Sequence, residues 1–315
     1  MKFRVIFLKK KKILYLLLLL FLLIIFSVLY FKTSAATFNI TEANTIKAEL
    51  NGDGQEDIMY IKNDNSKYYI EVKTKDKTYS LDPDMNINTL GVYCKTWPMR
   101  INLVDISRDK VPEIFLQSSY KDSPLQHIFL WNGEKFENIF SSSNSILGFM
   151  DYNNNKTTKV ISGNISCGKI VLKNYIFSNY KFYSYNYNYN DTFAGKDSIL
   201  AFINYIQALP ANEGNRPLDI FDPGINGKSI AVLGTMSGEN LKYVFQDGLF
   251  MDTRFDKDGE ISELKWILNF KGTSNITDGI SKNYSLTLLL KPFKNSTQSY
   301  YYKITSIDLS KMGPQ

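Results

Sequence analysis

The chain has 315 residues, 44% of them apolar and 14% aromatic, which sets an expectation of about two domains with real cores and favours strands over long helices. The formal charge of +6 is concentrated: six basic residues stand in the first twelve, and the rest of the chain carries 31 basic and 31 acidic residues. That neutral remainder lacks the electrostatic footprint of a nucleic-acid binder.

Residues 1–12 read as a basic stub. Residues 13–31, ILYLLLLLFLLIIFSVLYF, hold nineteen positions without a charge, close to the ~20 that a helix needs to span a bilayer core. Lys9 to Lys12 precede the run, which by the positive-inside rule keeps the stub cytoplasmic. The expectation is a signal-anchor: a single-pass protein of the cell membrane with an extracytoplasmic C-terminus. A cleaved signal peptide, with Thr33 to Ala36 as the small-residue stretch, is the competing reading. The length of the apolar run counts against it, because such regions hold about 7–15 apolar residues.

The next element is a polar loop, ELNGDGQED. Glu49, Asn51, Asp53 and Asp57 occupy its positions 1, 3, 5 and 9, and the backbone carbonyl of Gln55 falls at position 7. Hard oxygens at alternate positions suit Ca²⁺, and Gly52 and Gly54 let the chain curl. It is not an EF-hand, which wants Glu at position 12; Tyr60 stands there. The spacing recurs. Asp105, Ser107, Asp109, Val111 and Glu113 take positions 1, 3, 5, 7 and 9 of a second loop, and Asp151, Asn153, Asn155 and Lys159 take positions 1, 3, 5 and 9 of a third. Apolar, strand-like runs follow each loop. A period near 50 residues implies stacked supersecondary units. Asn, Asp and Gly also favour plain turns, so a metal-free turn stands beside the Ca²⁺ reading. The third loop, with Lys159 at position 9, is expected to be empty.

On these motifs, residues 36–190 resemble the FG-GAP/VCBS repeats of integrin-like β-propellers. The resemblance implies a D-x-N-x-D-G-x-x-D loop that binds Ca²⁺ between two strands of a blade. The first loop matches with Glu49 in place of the first Asp; the second has Lys110 where Gly is expected. About three propeller-like blades are expected, fewer than the four to eight of closed propellers. Partial arrays, completion by other strands and open stacking all remain as solutions. The hairpin at Asn132-Gly133 fits such a unit.

YSYNYNYN, from Tyr183 to Asn190, puts its tyrosines on one strand face. It reads either as an edge strand or as an aromatic platform for glycan or peptide. A C-terminal α+β domain is expected over residues 195–315. Its helix runs through DSILAFINYIQALP, with Ile199, Phe202, Ile203 and Ile206 on one stripe and Pro210 as its stop. The strands expected after it are SIAVLGTM, LKYVFQDGLFMDTRF, EISELKWILNF, YSLTLLLKPF and YYYKITSIDL. One helix followed by antiparallel strands suggests an α+β layer, loosely similar to NTF2-like or cystatin-like domains. FDKDGEI, Phe255 to Ile261, is expected to be a tight hairpin turn rather than a metal loop.

The chain holds one histidine, His127, and two cysteines, Cys94 and Cys167. Zn²⁺ sites of the usual kinds need more ligands, and no nucleophile elbow or P-loop occurs. The functional expectation is a mainly β, membrane-anchored, non-catalytic binding or assembly protein stabilised by Ca²⁺, with a protein or cell-surface glycan as partner. The alternative is a polysaccharide-binding module or a glycan-active enzyme.

Overall fold

A computed structural model describes residues 11–12, 15, 17–21, 36–40, 45–151, 154, 157–179, 181–185, 190, 192–211, 213–274, 281–293 and 300–310. The chain divides into two units, 1–35 and 36–315. In the first, the described residues are helical and exposed. No helix among the described residues is long and apolar enough to cross a membrane. That finding overturns the expected span over 13–31, and with it the membrane anchor and the membrane localisation. Residues 13, 14, 16 and 22–31 of that run lie outside the described residues.

The second unit is mainly β. Its strands are β1 (Ala36–Ile40), β2 (Thr45–Ala48), β3 (Asp57–Asp64), β4 (Lys67–Lys73), β5 (Thr78–Ser80), β6 (Met99–Val104), β7 (Glu113–Tyr120), β8 (Ser123–Trp131), β9 (Phe136–Ser142), β10 (Ile146–Met150), β11 (Lys159–Ser166), β12 (Lys169–Ser178), β13 (Lys181–Tyr185), β14 (Leu241–Phe255), β15 (Ile261–Ser274), β16 (Ser281–Pro292) and β17 (Tyr302–Ser310). Helices α1 (Lys196–Gln207) and α2 (Gly227–Gly238) lie between β13 and β14.

Three antiparallel meanders emerge: β2-β3-β4-β5, β6-β7-β8-β9 and β10-β11-β12-β13. In each, a polar loop joins the first strand to the second. The register is the same all three times. Ala48 pairs with Asp57, Val104 with Glu113 and Met150 with Lys159, so the residue before each loop always faces position 9.

The meanders do not close into a propeller, and this corrects the expected architecture. In a propeller the first strand of each blade keeps its free edge toward the central channel. Here β1 covers that edge of β6, and β14 runs parallel along that edge of β10. The third meander thereby joins β14-β15-β16-β17 in one eight-stranded sheet. The sheet crosses the boundary expected near residues 190–195.

The C-terminal strands fall close to their expected runs, and α1 buries Ile199, Phe202, Ile203 and Ile206 against β12, β14 and β17. SIAVLGTM is a correction: it lies in α2, not in a strand. The Asn226 side chain accepts from Ser229 N at 2.9 Å and caps the helix. Ser229, Leu233, Met236 and Ser237 then turn inward at helical spacing. The signal was the Asn-Gly just before the segment.

Two kinds of contact join the five-stranded sheet β1-β6-β7-β8-β9 to the eight-stranded sheet. One is apolar: Phe115 and Phe149 meet edge to face at 4.7 Å within a cluster that includes Ile128, Leu249 and Ile267. The other is polar and buried. Arg100 Nη1 lies 3.0 Å from Asp247 Oδ1, Trp97 Nε1 donates to Asp247 Oδ2 at 2.5 Å, and Gln117 Nε2 donates to Gly248 O at 3.2 Å.

Candidate metal loops

The first loop is organised by its own side chains. Glu49 Oε1 accepts from Asn51 N and Gly52 N (3.1 and 2.7 Å). Asn51 Oδ1 accepts from Asp53 N (3.0 Å), and Asp53 Oδ1 from Gln55 N (2.8 Å). Asp57 Oδ2 reaches back to Leu50 N at 2.9 Å. Gly52 and Gly54 stand at φ +81° and +80°, a conformation open to glycine at little cost.

The second loop repeats this geometry with a different sequence. Glu113 Oε2 accepts from Ile106 N (2.7 Å), as Asp57 does from Leu50 N. Asp109 Oδ1 accepts from Val111 N (2.8 Å), as Asp53 does from Gln55 N. Asp105 accepts from Arg108 N (2.6 Å) and Lys110 N (3.0 Å) with its two oxygens. Arg108 and Lys110 hold φ 68° and 76° at positions 4 and 6, where the first loop has its glycines. Ser107 Oγ sits 3.5 Å from Asp105 Oδ1. Both Asp105 oxygens are thus engaged by backbone amides, and two exposed cations flank Asp109.

In the third loop, Asn153 and Asn155 lie outside the described residues. Asn154, at position 4, again has positive φ, 48°. Position 9 is Lys159, but a carboxylate arrives from elsewhere: Asp252 Oδ2 on β14 accepts from Asp151 N at 2.6 Å. Sequence reading missed Asp252, and no local signal marks it; only the parallel register, Phe149 beside Met251, brings it there.

The electrostatics follow from burial. Asp57 and Glu113 are each 1% exposed. Burial raises the Asp57 carboxyl above its usual range, and the nearby charges of Glu49 and Asp53 add to the rise. Burial pushes Glu113 up to about 7 and Asp252 to about 6. Three loop oxygens are buried without a hydrogen-bond partner: Glu49 Oε2, Asp57 Oδ1 and Glu113 Oε1. Anionic oxygens without donors are what a bound cation relieves. Among the described residues, no three or more His, Cys, Asp or Glu side chains converge closely enough to hold a metal. A site in the first loop would therefore lean on neutral oxygens as well, Asn51 Oδ1 and the Gln55 carbonyl.

The loops also touch one another. A Cβ placed on Gly52 would lie 3.1 Å from Val111 Cγ2. Arg108 Nη1 donates to Thr157 Oγ1 at 3.4 Å. Each contact runs from position 4 of one loop to position 7 of the next.

The other candidates lie elsewhere in the fold. His127 is fully buried; Asn138 Nδ2 donates to its Nδ1 at 3.2 Å, so that nitrogen accepts and the ring is neutral. Burial lowers its pKa to about 4. Tyr183 lies on β13, an edge strand, while residues 186–189 lie outside the described residues. Cys94 and Cys167 are both free. In FDKDGEI, Asp256 Oδ1 accepts from Asp258 N and Glu260 N, both at 2.9 Å, which makes a hairpin turn.

No protein-family model matches the chain, and no curated protein matches it. A solved structure of Bdellovibrio bacteriovorus Bd1075 is similar over 61% of this chain and 90% of that chain, at 8% identity and a TM-score of 0.29. A likeness that low supports no conclusion about fold or function.

Proposed function

We infer that the chain is a non-catalytic binding or assembly module whose first loop, residues 49–57, takes a Ca²⁺ ion. The observation that carries this reading is the pair of buried, unpartnered oxygens, Glu49 Oε2 and Asp57 Oδ1, in one loop. They sit in a nine-residue loop that also resembles the FG-GAP/VCBS pattern. Asn51 Oδ1 and the Gln55 carbonyl would add neutral hard oxygens of the kind Ca²⁺ prefers, and Asp53 would join them only by turning inward when the ion binds. The second loop is the weaker site, because backbone amides already engage both Asp105 oxygens. The non-catalytic part rests on His127, a neutral ring sealed from solvent.

Thermal unfolding in Ca²⁺ and in chelator tests the reading. An ion that binds only the folded chain stabilises it by about 2.7 kcal/mol at a hundredfold excess over Kd. Asp53→Ala is expected to remove most of that gain and Lys159→Ala none of it. Equal melts with and without Ca²⁺, and no heat of binding, would reduce the loop to a polar turn.

A further inference from the structure

We propose that the free edge of β17, with the small-residue face of α2 beside it, is a contact between two copies of this chain, paired antiparallel about a two-fold axis at Leu309. This contact needs no ion in the first loop, so it stands apart from the cation reading.

β17 closes one side of the eight-stranded sheet. The first part of its outer edge is covered: Asp222 N donates to Ile304 O at 2.9 Å, and Ile307 N donates to Ser229 Oγ at 3.0 Å. Main-chain groups alternate in direction along a strand, so the Ile307 C=O and both main-chain groups of Leu309 point outward with Ile307 N. Among the described residues nothing takes them. An open edge of this kind pairs readily with another strand. From Ser306 to Ser310 it also lacks the Pro and Lys that commonly blunt such edges.

The groove along this edge holds 610 Å³, with Ile307 to Leu309 on one wall and Ala231, Val232 and Thr235 of α2 on the other. The exposed side of α2 is a stripe of small residues, Ala231, Gly234, Thr235 and Gly238. Gly234 stands in the helix interior, where glycine costs stability relative to alanine. Among the described residues nothing requires it, since a Cβ there would meet no atom within 4 Å. A second helix laid against the stripe supplies the reason, because side-chain size sets how near two helix axes come. A lone foreign strand in the groove would leave that stripe bare, whereas a second copy brings its own α2. With the axis at Leu309 and normal to the sheet, each Leu309 N–H meets the Leu309 C=O of the other copy. Both α2 helices then lie on one face of the continued sheet. Asp308 stands opposite Ser310 of the second copy in a non-hydrogen-bonded pair, where side chains come closest. A hydroxyl donor therefore meets a carboxylate on each side of the axis, and no two carboxylates face each other, so the edge is complementary to itself.

Sedimentation velocity of the full chain in chelator, over a range of concentrations, tests the contact. The native chain is expected to form dimers. Ser310→Asp should weaken the dimer about tenfold, because its repulsion with Asp308 counts on both sides of the axis. Exchanging the pair, Asp308→Ser with Ser310→Asp, should restore the dimer. Thr235→Arg should leave only monomer, by wedging the two helices apart. Thr235, Asp308 and Ser310 are all exposed, so each variant should keep the native urea curve in dilute solution. A chain that stays monomeric, with or without an unrelated extended peptide bound on β17, overturns the proposal, and so do open-ended assemblies. A dimer that Thr235→Arg or Ser310→Asp leaves unweakened also overturns it, as does a Ser310→Asp loss that the exchange does not restore. None of these results bears on the melts in Ca²⁺, which report on the first loop.

Discussion

Replacing Glu113 by Gln should stabilise the metal-free chain at alkaline pH, although it alters a buried, hydrogen-bonded carboxylate. Glu113 is 1% exposed. Its Oε2 accepts from Ile106 N and Ser107 N, and its Oε1 has no partner. Burial raises its pKa from the ordinary 4.5 to about 7. The folded chain therefore holds this proton more tightly than the unfolded chain does. Between those two values the folded state binds more protons, so stability falls as pH rises through the window. Above pH 7 the loss levels off at about 3 kcal/mol, taking ~1.4 kcal/mol per pKa unit. Gln keeps an acceptor for Ile106 N and carries no charge to bury. In urea titrations with chelator, Glu113→Gln should exceed the native chain by about 3 kcal/mol at pH 8 and by less than about 1 kcal/mol at pH 5. Asp57, His127 and Asp252 titrate in both proteins, so the difference isolates Glu113. A mutant that is less stable at pH 8, or a difference that does not change with pH, would refute the reasoning.

Arg100→Ala should destabilise by about 3–5 kcal/mol in the same urea assay, because it strands the buried Asp247 carboxylate. The double change Arg100→Met with Asp247→Leu should recover most of that loss, and no recovery would show that the charges themselves are required. Gly148→Ala should destabilise by at least about 1–3 kcal/mol by thermal or urea unfolding, since its Cβ would fall 2.2 Å from the Phe250 ring. Native-like stability there would mean that β10 and β14 sit further apart.

Local features of this chain were legible in its sequence. The three loops announced themselves by spacing, and the common pairing of position 9 with the residue before the loop confirms that the spacing marks one repeated hairpin. Strands β14 to β17 fall close to the runs expected for them. What escaped was non-local. The parallel pairing of Ile146 with Gly248 has no sequence signature, because both strands read the same whether they pair with each other or not. That one pairing blocks ring closure, and it also delivers Asp252 to the third loop. At Arg108 and Lys110, composition argued against the loop conformation, yet the second loop adopts it with positive φ. Its side-chain-to-amide bonds outweigh the backbone strain. The Asn226 cap was legible, but the apolar run after it was read at the wrong period.

The same pairing decides whether the C-terminal half folds alone. A helix and five strands after residue 195 look self-sufficient in sequence. In the structure their core also contains Ile146, Met150, Ile161, Ile170 and Leu172. Leu249 and Ile267 pack on Phe115, Ile128 and Phe149 from the other side. Cutting at 192 strips β10 from β14, leaving Gly248 to Met251 as a bare edge in mid-sheet, the kind of edge that recruits other chains. It also takes Arg100 and Trp97 from Asp247. A fragment of residues 192–315 should therefore aggregate or unfold without a sharp transition, while residues 36–315 should unfold in one step. Urea curves followed by circular dichroism compare the two. A soluble 192–315 fragment with a cooperative transition, and an m-value scaled to its smaller buried surface, would show that the eight-stranded sheet is two docked sheets rather than one folding unit.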